Sequence, residues 1–425
     1  MVNLSISEVK FLVMRKRAFW VGFLLVCQIV FFSPWLTPTA WAFTDNQQLY
    51  SEAWRIVDRA YLDDTFNHQN WWLVRQNALK KPLKDREATY GAIRTMLESL
   101  DDPFTRFLTP EEYRSLKVNT SGELSGVGLQ ISVDSETGIL EVVAPIAGSP
   151  ADKAGIRSRD RILEIDGTLT SQLSLDEAAA RMRGKAGTKV TLKIQAREGE
   201  IKSIPLVRDT ISLNPVYAVL DKQPDGFPVG YIRLTQFSAN APSELKQAIA
   251  KLEDEGADAY ILDLRNNPGG LLQAGIDIAS LWLDRGTIVY TVNREGTMGS
   301  FEADGVVLTK DPLVVLVNQG TASASEILAG ALQDRGRAKL VGERTFGKGL
   351  IQSLFDLFDG SGLAVTVAKY ETPNHRDINK LGIEPDVEVP LELIENDHVV
   401  MVSDSQYQAA LQLLNSDSVL TADAR

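Results

Sequence analysis

Apolar side chains between residues 43 and 117 recur at helical spacing. Tyr50, Ala53, Trp54, Val57 and Tyr61 share one face, and Ala92, Met96, Leu97 and Leu100 share another. Asp101-Asp102-Pro103 stops the second run, and Thr109-Pro110-Glu111-Glu112 reads as the cap and first turn of a further helix. A small helical domain is therefore predicted over 43–117. The pattern changes at residue 118. Short apolar runs, Val127–Val133, Ile139–Val143, Arg161–Ile165, Val190–Gln195 and Ile201–Leu206, alternate with Gly, Asp and Ser turns, and only Ser174–Arg183 has a strong helical period. That predicts a mostly β module over 118–207. From 208 to 392 strands and helices alternate: Val229–Leu234, Ser243–Asp254, Ala259–Leu264, Leu272–Leu283, Leu313–Asn318 and Ser323–Gln333. Such alternation predicts an α/β layered core. Ile351–Phe358 and Leu363–Tyr370, joined by Asp359-Gly360-Ser361-Gly362, read as a hairpin. In the last segment, 393–425, Gln406–Leu414 reads as a short helix and 416–425 as a loose tail.

The first 42 residues follow neither pattern. Arg15, Lys16 and Arg17 precede a 15-residue apolar run, Ala18–Phe32, and Ala40-Trp41-Ala42 has the small-x-small form of an export cleavage site. The run is short for a membrane span of about 20 residues, so a cleaved signal peptide over 1–42 is expected rather than a retained anchor. A transit peptide would be longer and richer in Ser and Arg. Periplasm and thylakoid lumen share this kind of signal, and both stay open. Cys27 is the only cysteine and lies within the signal, where the preceding Val26 disfavours lipid attachment. The rest of the chain then has no thiol, which excludes disulfides, thiolate metal sites and cysteine catalysis.

At 425 residues, 24% charged and 44% hydrophobic, the chain is an ordinary globular protein of two to four domains. Its formal net charge is −12. Residues 1–42 carry four basic side chains and one acidic, leaving −15 on the remainder. Nucleic acid is excluded as a partner, because its binding needs clustered cations. Direct binding to an anionic membrane surface is disfavoured as well, so the exported protein is expected to be soluble.

Two segments carry the candidate chemistry. Thr321-Ala322-Ser323-Ala324-Ser325-Glu326 follows a buried strand and opens a helix. A serine there is placed to be a nucleophile, with the N–H of Ala324 at the positive helix end to meet an oxyanion. The simpler reading is a set of N-cap serines. Glu326 is expected only to favour the first helical turn through the dipole. In the β module, Gly126-Val127-Gly128-Leu129 opens the first strand, followed by Gly148-Ser149-Pro150-Ala151, Ala154-Gly155-Ile156 and Asp160-Arg161-Ile162-Leu163-Glu164-Ile165-Asp166-Gly167. Together these resemble a PDZ domain, which adds a peptide carboxyl terminus as a strand to an open sheet edge. The resemblance places the terminal carboxylate at Gly126, Val127, Gly128 and Leu129, and the apolar last side chain in a pocket lined by Leu129 and Ile131.

Asp263-Leu264-Arg265-Asn266-Asn267-Pro268-Gly269-Gly270 ends an earlier core strand, and Thr345-Phe346-Gly347-Lys348-Gly349-Leu350-Ile351-Gln352 lies past the serine. With the serine segment and the PDZ-like module they resemble the carboxyl-terminal processing proteases, or tail-specific proteases, of peptidase family S41. The match spans nearly all of the chain after the signal. It implies a multidomain α+β protein: an N-terminal helical domain, a PDZ domain and a crotonase-like α/β serine-protease core. It also implies Ser323 as nucleophile, Lys348 as general base, Gln352 as the residue that orients the lysine, Gly269 and Ala324 as oxyanion donors, and Asp334 as an acidic accessory. No metal or cofactor is implied. The implied partner is a protein substrate with an apolar C-terminal tail, near a membrane. The stretch Trp54–Trp72 looks most like the photosynthetic branch, which matures the precursor of D1.

The chemistry agrees with these roles. A lysine base must lose its proton, so its pKa has to fall from about 10.4 by desolvation. Phe346, Gly347 and Gly349 suit that, and the uncharged Gln352 can accept from the lysine without holding it charged. The alternative for Asp334 is a surface pair with Arg335 or Arg337. His68, His375 and His398 are the only histidines, and His375 is the one that a Ser–His–Asp triad would need. H-E-x-x-H and the phosphate-loop motif are both absent. A non-catalytic PDZ adaptor on the same scaffold would be expected to have lost Ser323 or Lys348, and both are present. General degradation of periplasmic tails is the alternative to processing of one substrate.

Overall fold

The computed structural model describes residues 43–416 except 135–137, 198, 223–226, 297, 306 and 391–403. The expected signal peptide with Cys27, the end of the tail and His398 lie outside the described residues. Among the described residues no helix is long and apolar enough to cross a membrane.

Near the N-terminus, helix Asp45–Ala60 starts at a Thr44–Gln47 capping box, and helix Arg86–Glu98 starts at Asp85, whose side chain accepts from the N–H of Ala88. Their apolar stripes meet through Leu49, Ala53, Val57, Ile93, Met96 and Leu97. Each buried aliphatic side chain of this kind is worth roughly 1.5–3 kcal/mol. The stripes also pack on Leu357, Leu363 and Val365, at least 260 residues away in the chain, so one hydrophobic core joins this region to the C-terminal half of the chain. The region contains a strand that helical periodicity does not predict. Arg106–Leu108 pairs antiparallel with strand Gly362–Glu371, Arg106 opposite Ala364. Asp102 diverts the chain out of helix by accepting from the N–H of Phe104 and the hydroxyl of Thr105.

Helix Pro110–Ser121, capped by Thr109 and Glu112, leads into a two-stranded ribbon, Glu123–Gly126 against Asp209–Ser212. Between the two ribbon strands lies a mostly β module. Its strands run in the order Leu129–Val133, Leu140–Pro145, Arg161–Ile165, Lys189–Gln195, Ile201–Val207, all antiparallel. Leu129–Val133 is an edge strand, and helix Leu175–Met182 packs beside it.

The core is a six-stranded sheet in the order Val216–Asp221, Val229–Leu234, Ala259–Asp263, Leu313–Val317, Lys339–Gly342, Val387–Glu388, parallel except for its first pair. Ala259–Asp263 and Leu313–Val317 are buried throughout, as parallel strands covered on both faces must be. Helices Ala241–Asp254, Leu272–Ser280 and Ala324–Asp334 cover one face, and helix Ser405–Asn415 covers the other. A second sheet carries the expected hairpin, Leu350–Asp356 with Gly362–Glu371, together with Thr287–Asn293, Met298–Glu302 and Arg106–Leu108.

Candidate active site

Strand Leu313–Val317 runs into a turn that Thr321 fixes. Its hydroxyl donates to the carbonyl of Leu264 at 2.9 Å and accepts from the N–H of Asn318 at 3.0 Å. Ser323 follows at the N-cap of helix Ala324–Asp334 with φ 58° and ψ −117°. Such backbone costs an L-residue about 1–3 kcal/mol and persists only where its surroundings over-determine it. Here the surroundings do. Ala322 N–H donates to Asn267 O at 3.0 Å, and the fully buried Ser325 donates its hydroxyl to the same carbonyl at 3.0 Å. Ser325 is thus an anchor of the turn, whereas Ser323 Oγ donates no hydrogen bond to any of the described residues.

Glu326 does more than the first-turn role expected of it. Its fully buried carboxylate accepts from Ser323 N–H at 2.9 Å, Lys348 N–H at 2.9 Å, Gly347 N–H at 2.8 Å and the Thr345 hydroxyl at 2.6 Å. A buried carboxylate is tolerated where donors converge on it like this. Glu326 thereby ties the serine turn to the loop that carries Lys348. The signal for it was in the sequence, as the Ser-x-x-Glu spacing of a capping box.

Lys348 is half-buried. Its ammonium nitrogen lies 4.9 Å from the ring centroid of Phe104 and has no ion pair or hydrogen bond among the described residues. Burial pushes its pKa below the usual lysine value, and the charge of Arg106 pushes it further. Asp102 and Glu326 act in the opposite direction without reversing the shift. Gly349 lets the loop pack tightly, since a Cβ there would lie 2.8 Å from the backbone of Asn379. Gln352 donates its amide to the Thr366 hydroxyl at 3.3 Å, which leaves its carbonyl oxygen without a partner among the described residues. Phe104 and Arg106 reach the site from the N-terminal region, and no local feature of the sequence points to them.

Ser323, Ala324, Gly269, Lys348 and Gln352 all line one cavity of about 470 Å³. Ser323 Oγ and Lys348 Nζ are not hydrogen-bonded to each other in this structure. The two expected oxyanion donors differ. Ala324 N–H has no acceptor among the described residues. Gly269 N–H already donates to Asn267 Oδ1 at 2.9 Å. Gly269 sits at φ +94°, so close to the serine turn that a Cβ would lie 2.6 Å from Ala322 O and 2.9 Å from Ser323 Cβ.

Asp334 lies outside the cavity. It occupies the opposite end of the helix from Ser323, about 16 Å away at 1.5 Å per residue. There it pairs with Arg376, not with Arg335 or Arg337, and accepts from Asn374 N–H at 2.9 Å. His375 also lies away from the cavity, stacked on Tyr290 at 4.2 Å and hydrogen-bonded to Glu371 at 3.1 Å. The residues Gly126–Ile131 form a separate feature. Val127 is buried in the β module, with Leu129 and Ile131 half-buried against the same core. The carbonyls of Val127 and Gly128 accept from Ala151 N–H and Ile146 N–H, both at 2.9 Å. The N–H groups of Val127 and Gly128 have no acceptor among the described residues.

Residues 228–389 match the model of peptidase family S41, and residues 141–196 match a PDZ domain model. The carboxyl-terminal-processing protease of Synechocystis sp. is 61% identical over 403 residues, covering 94% of each chain. That of Picosynechococcus sp. is 61% identical over 398 residues, covering 93% of this chain and 95% of the relative. A solved structure, the photosystem II D1 C-terminal processing protease, is 44% identical with a TM-score of 0.53, covering 82% of this chain and 94% of that one. Serine turn, half-buried lysine and PDZ module therefore occur in a chain that belongs to peptidase family S41, as a serine peptidase of the carboxyl-terminal-processing kind.

Proposed function

We propose that Ser323 and Lys348 form the catalytic pair of this peptidase. The observation that carries the reading is a half-buried lysine without a counter-ion on the same cavity as a strained serine whose hydroxyl donates to no described residue. Neutral Lys348 takes the proton of Ser323 Oγ as that oxygen bonds to the substrate carbonyl carbon. Ala324 N–H stabilises the oxyanion, joined by Gly269 N–H once it is released from Asn267. Lys348 then gives the proton to the leaving amine, and water cleaves the acyl-enzyme by the reverse sequence. Gln352 orients the lysine through its free carbonyl oxygen. Asp334 has no part in these steps, given its distance from the cavity.

The substrate tail docks on the β module. Its carboxylate meets the free N–H groups of the Gly126–Leu129 turn, its last side chain packs on Leu129 and Ile131, and its backbone extends the edge strand Leu129–Val133. The relatives and the export signal support a substrate exposed in the thylakoid lumen or periplasm, and the precursor of D1 is the one we propose. The test is mass spectrometry of the D1 precursor's C-terminus after incubation with the protein, with Ser323→Ala and Lys348→Ala as controls. Processing by the native chain and its loss in both variants is expected. Turnover by Lys348→Ala would overturn the pair, and an uncut precursor would overturn the substrate.

A further inference from the structure

Arg106 is the cavity's one cationic side chain besides Lys348 and, like it, has no carboxylate within ion-pair distance among the described residues. Strand pairing with Ala364 fixes its backbone, so the side chain is presented from a rigid edge. Around it the walls are largely apolar, through Leu116, Leu271, Leu350, Leu354 and Ala364. An arginine keeps its charge at any working pH. Arg106 is exposed, so its guanidinium is open to whatever enters the cavity. Its donors are free to pair with an anion that a ligand brings.

We propose that Arg106 is a specificity-determining residue that recognises an acidic side chain of the substrate within a few residues of the scissile bond. This rests on the Ser323–Lys348 reading for the position of that bond. A side-chain carboxylate is the fitting anion, because the tail's terminal carboxylate is engaged at Gly126–Leu129.

The test uses peptides that share one apolar free C-terminus, so docking on the β module is common to all. Glu is compared with Gln at each of three positions on either side of the cut. We expect the native protein to favour Glu at one position by about 5- to 20-fold in kcat/KM. Arg106→Lys should keep the preference, Arg106→Gln should lose it, and Arg106→Glu should favour Lys at that position. A purely structural role would not invert the preference. The same peptides are titrated by fluorescence anisotropy against Ser323→Ala with and without Arg106→Gln. If no peptide is cut, the Ser323–Lys348 reading falls while the binding ratio still reports on Arg106. A Glu-to-Gln ratio that Arg106→Gln leaves unchanged, in both cleavage and binding, overturns the proposal.

Discussion

Two cations set into this molecule have opposite fates. Arg265 is not among the residues that line the cavity, and its side chain is 9% exposed. It donates to Asp263 at 2.6 and 3.0 Å, to Asp404 at 2.7 Å and to Gln406 at 3.0 Å. Burial alone would lower its pKa, but the hydrogen bonds and charges of Asp263 and Asp404 outweigh that and raise it. Lys348 is half-buried and has its pKa lowered, first by desolvation and then by the charge of Arg106. Pairing keeps one charge fixed, whereas isolation makes the other easier to lose, as the proposed base needs. The residue types fit the tasks: arginine stays charged and grips a carboxylate at two points, while lysine can release a proton.

Exchanging the residue type at Lys348 is the most severe test. Lys348→Arg keeps the charge but cannot act as a base, so kcat should fall on the order of 10⁴-fold or more at every pH. Recovery of activity at alkaline pH would count against the comparison. Breaking the paired site should instead destabilise the fold. Arg265→Ala leaves Asp263 and Asp404 buried without their cation and should cost about 3–5 kcal/mol in urea denaturation. Glu326→Gln keeps the shape but weakens the clamp between serine turn and lysine loop. Its kcat should fall by about 10- to 100-fold with KM little changed, and a change in KM alone would count against the positioning role.

The smallest effect concerns pH. Lysine accepts a proton only above its pKa, so kcat/KM should rise with pH through that value. Arg106 lowers the pKa, so Arg106→Gln should move the acid limb to higher pH. Asp102→Asn removes an opposing charge and should move it lower. Limbs that coincide in all three proteins would show that another group titrates.

Periodicity recovered the elements that position the site, including the helix that Ser323 caps and the hairpin after Lys348. It missed Arg106–Leu108 because three residues between helices have no readable period, and their strand exists only by pairing with residues far along the chain. Phe104 and Arg106 were illegible for the same reason. Asp334 was drawn toward the site by the family resemblance, but the helix carries it to the end opposite Ser323. Glu326 was half legible. The capping spacing was visible, whereas its bonds to Thr345, Gly347 and Lys348 depend on tertiary contact.

The ribbon that flanks the β module has a topological consequence. About 90 residues depart at Glu123 and return at Ser212. Just outside them, Leu213 N–H donates to Gly122 O at 2.8 Å, and Asn240 donates to the carbonyls of both residues. The protease core thus holds the two chain ends side by side, whatever lies between them. Loop-closure entropy grows only slowly with length, so the core is nearly indifferent to the size of what it carries there. The module is a graft on a fixed socket, and another domain could occupy that socket without altering a residue of the cavity.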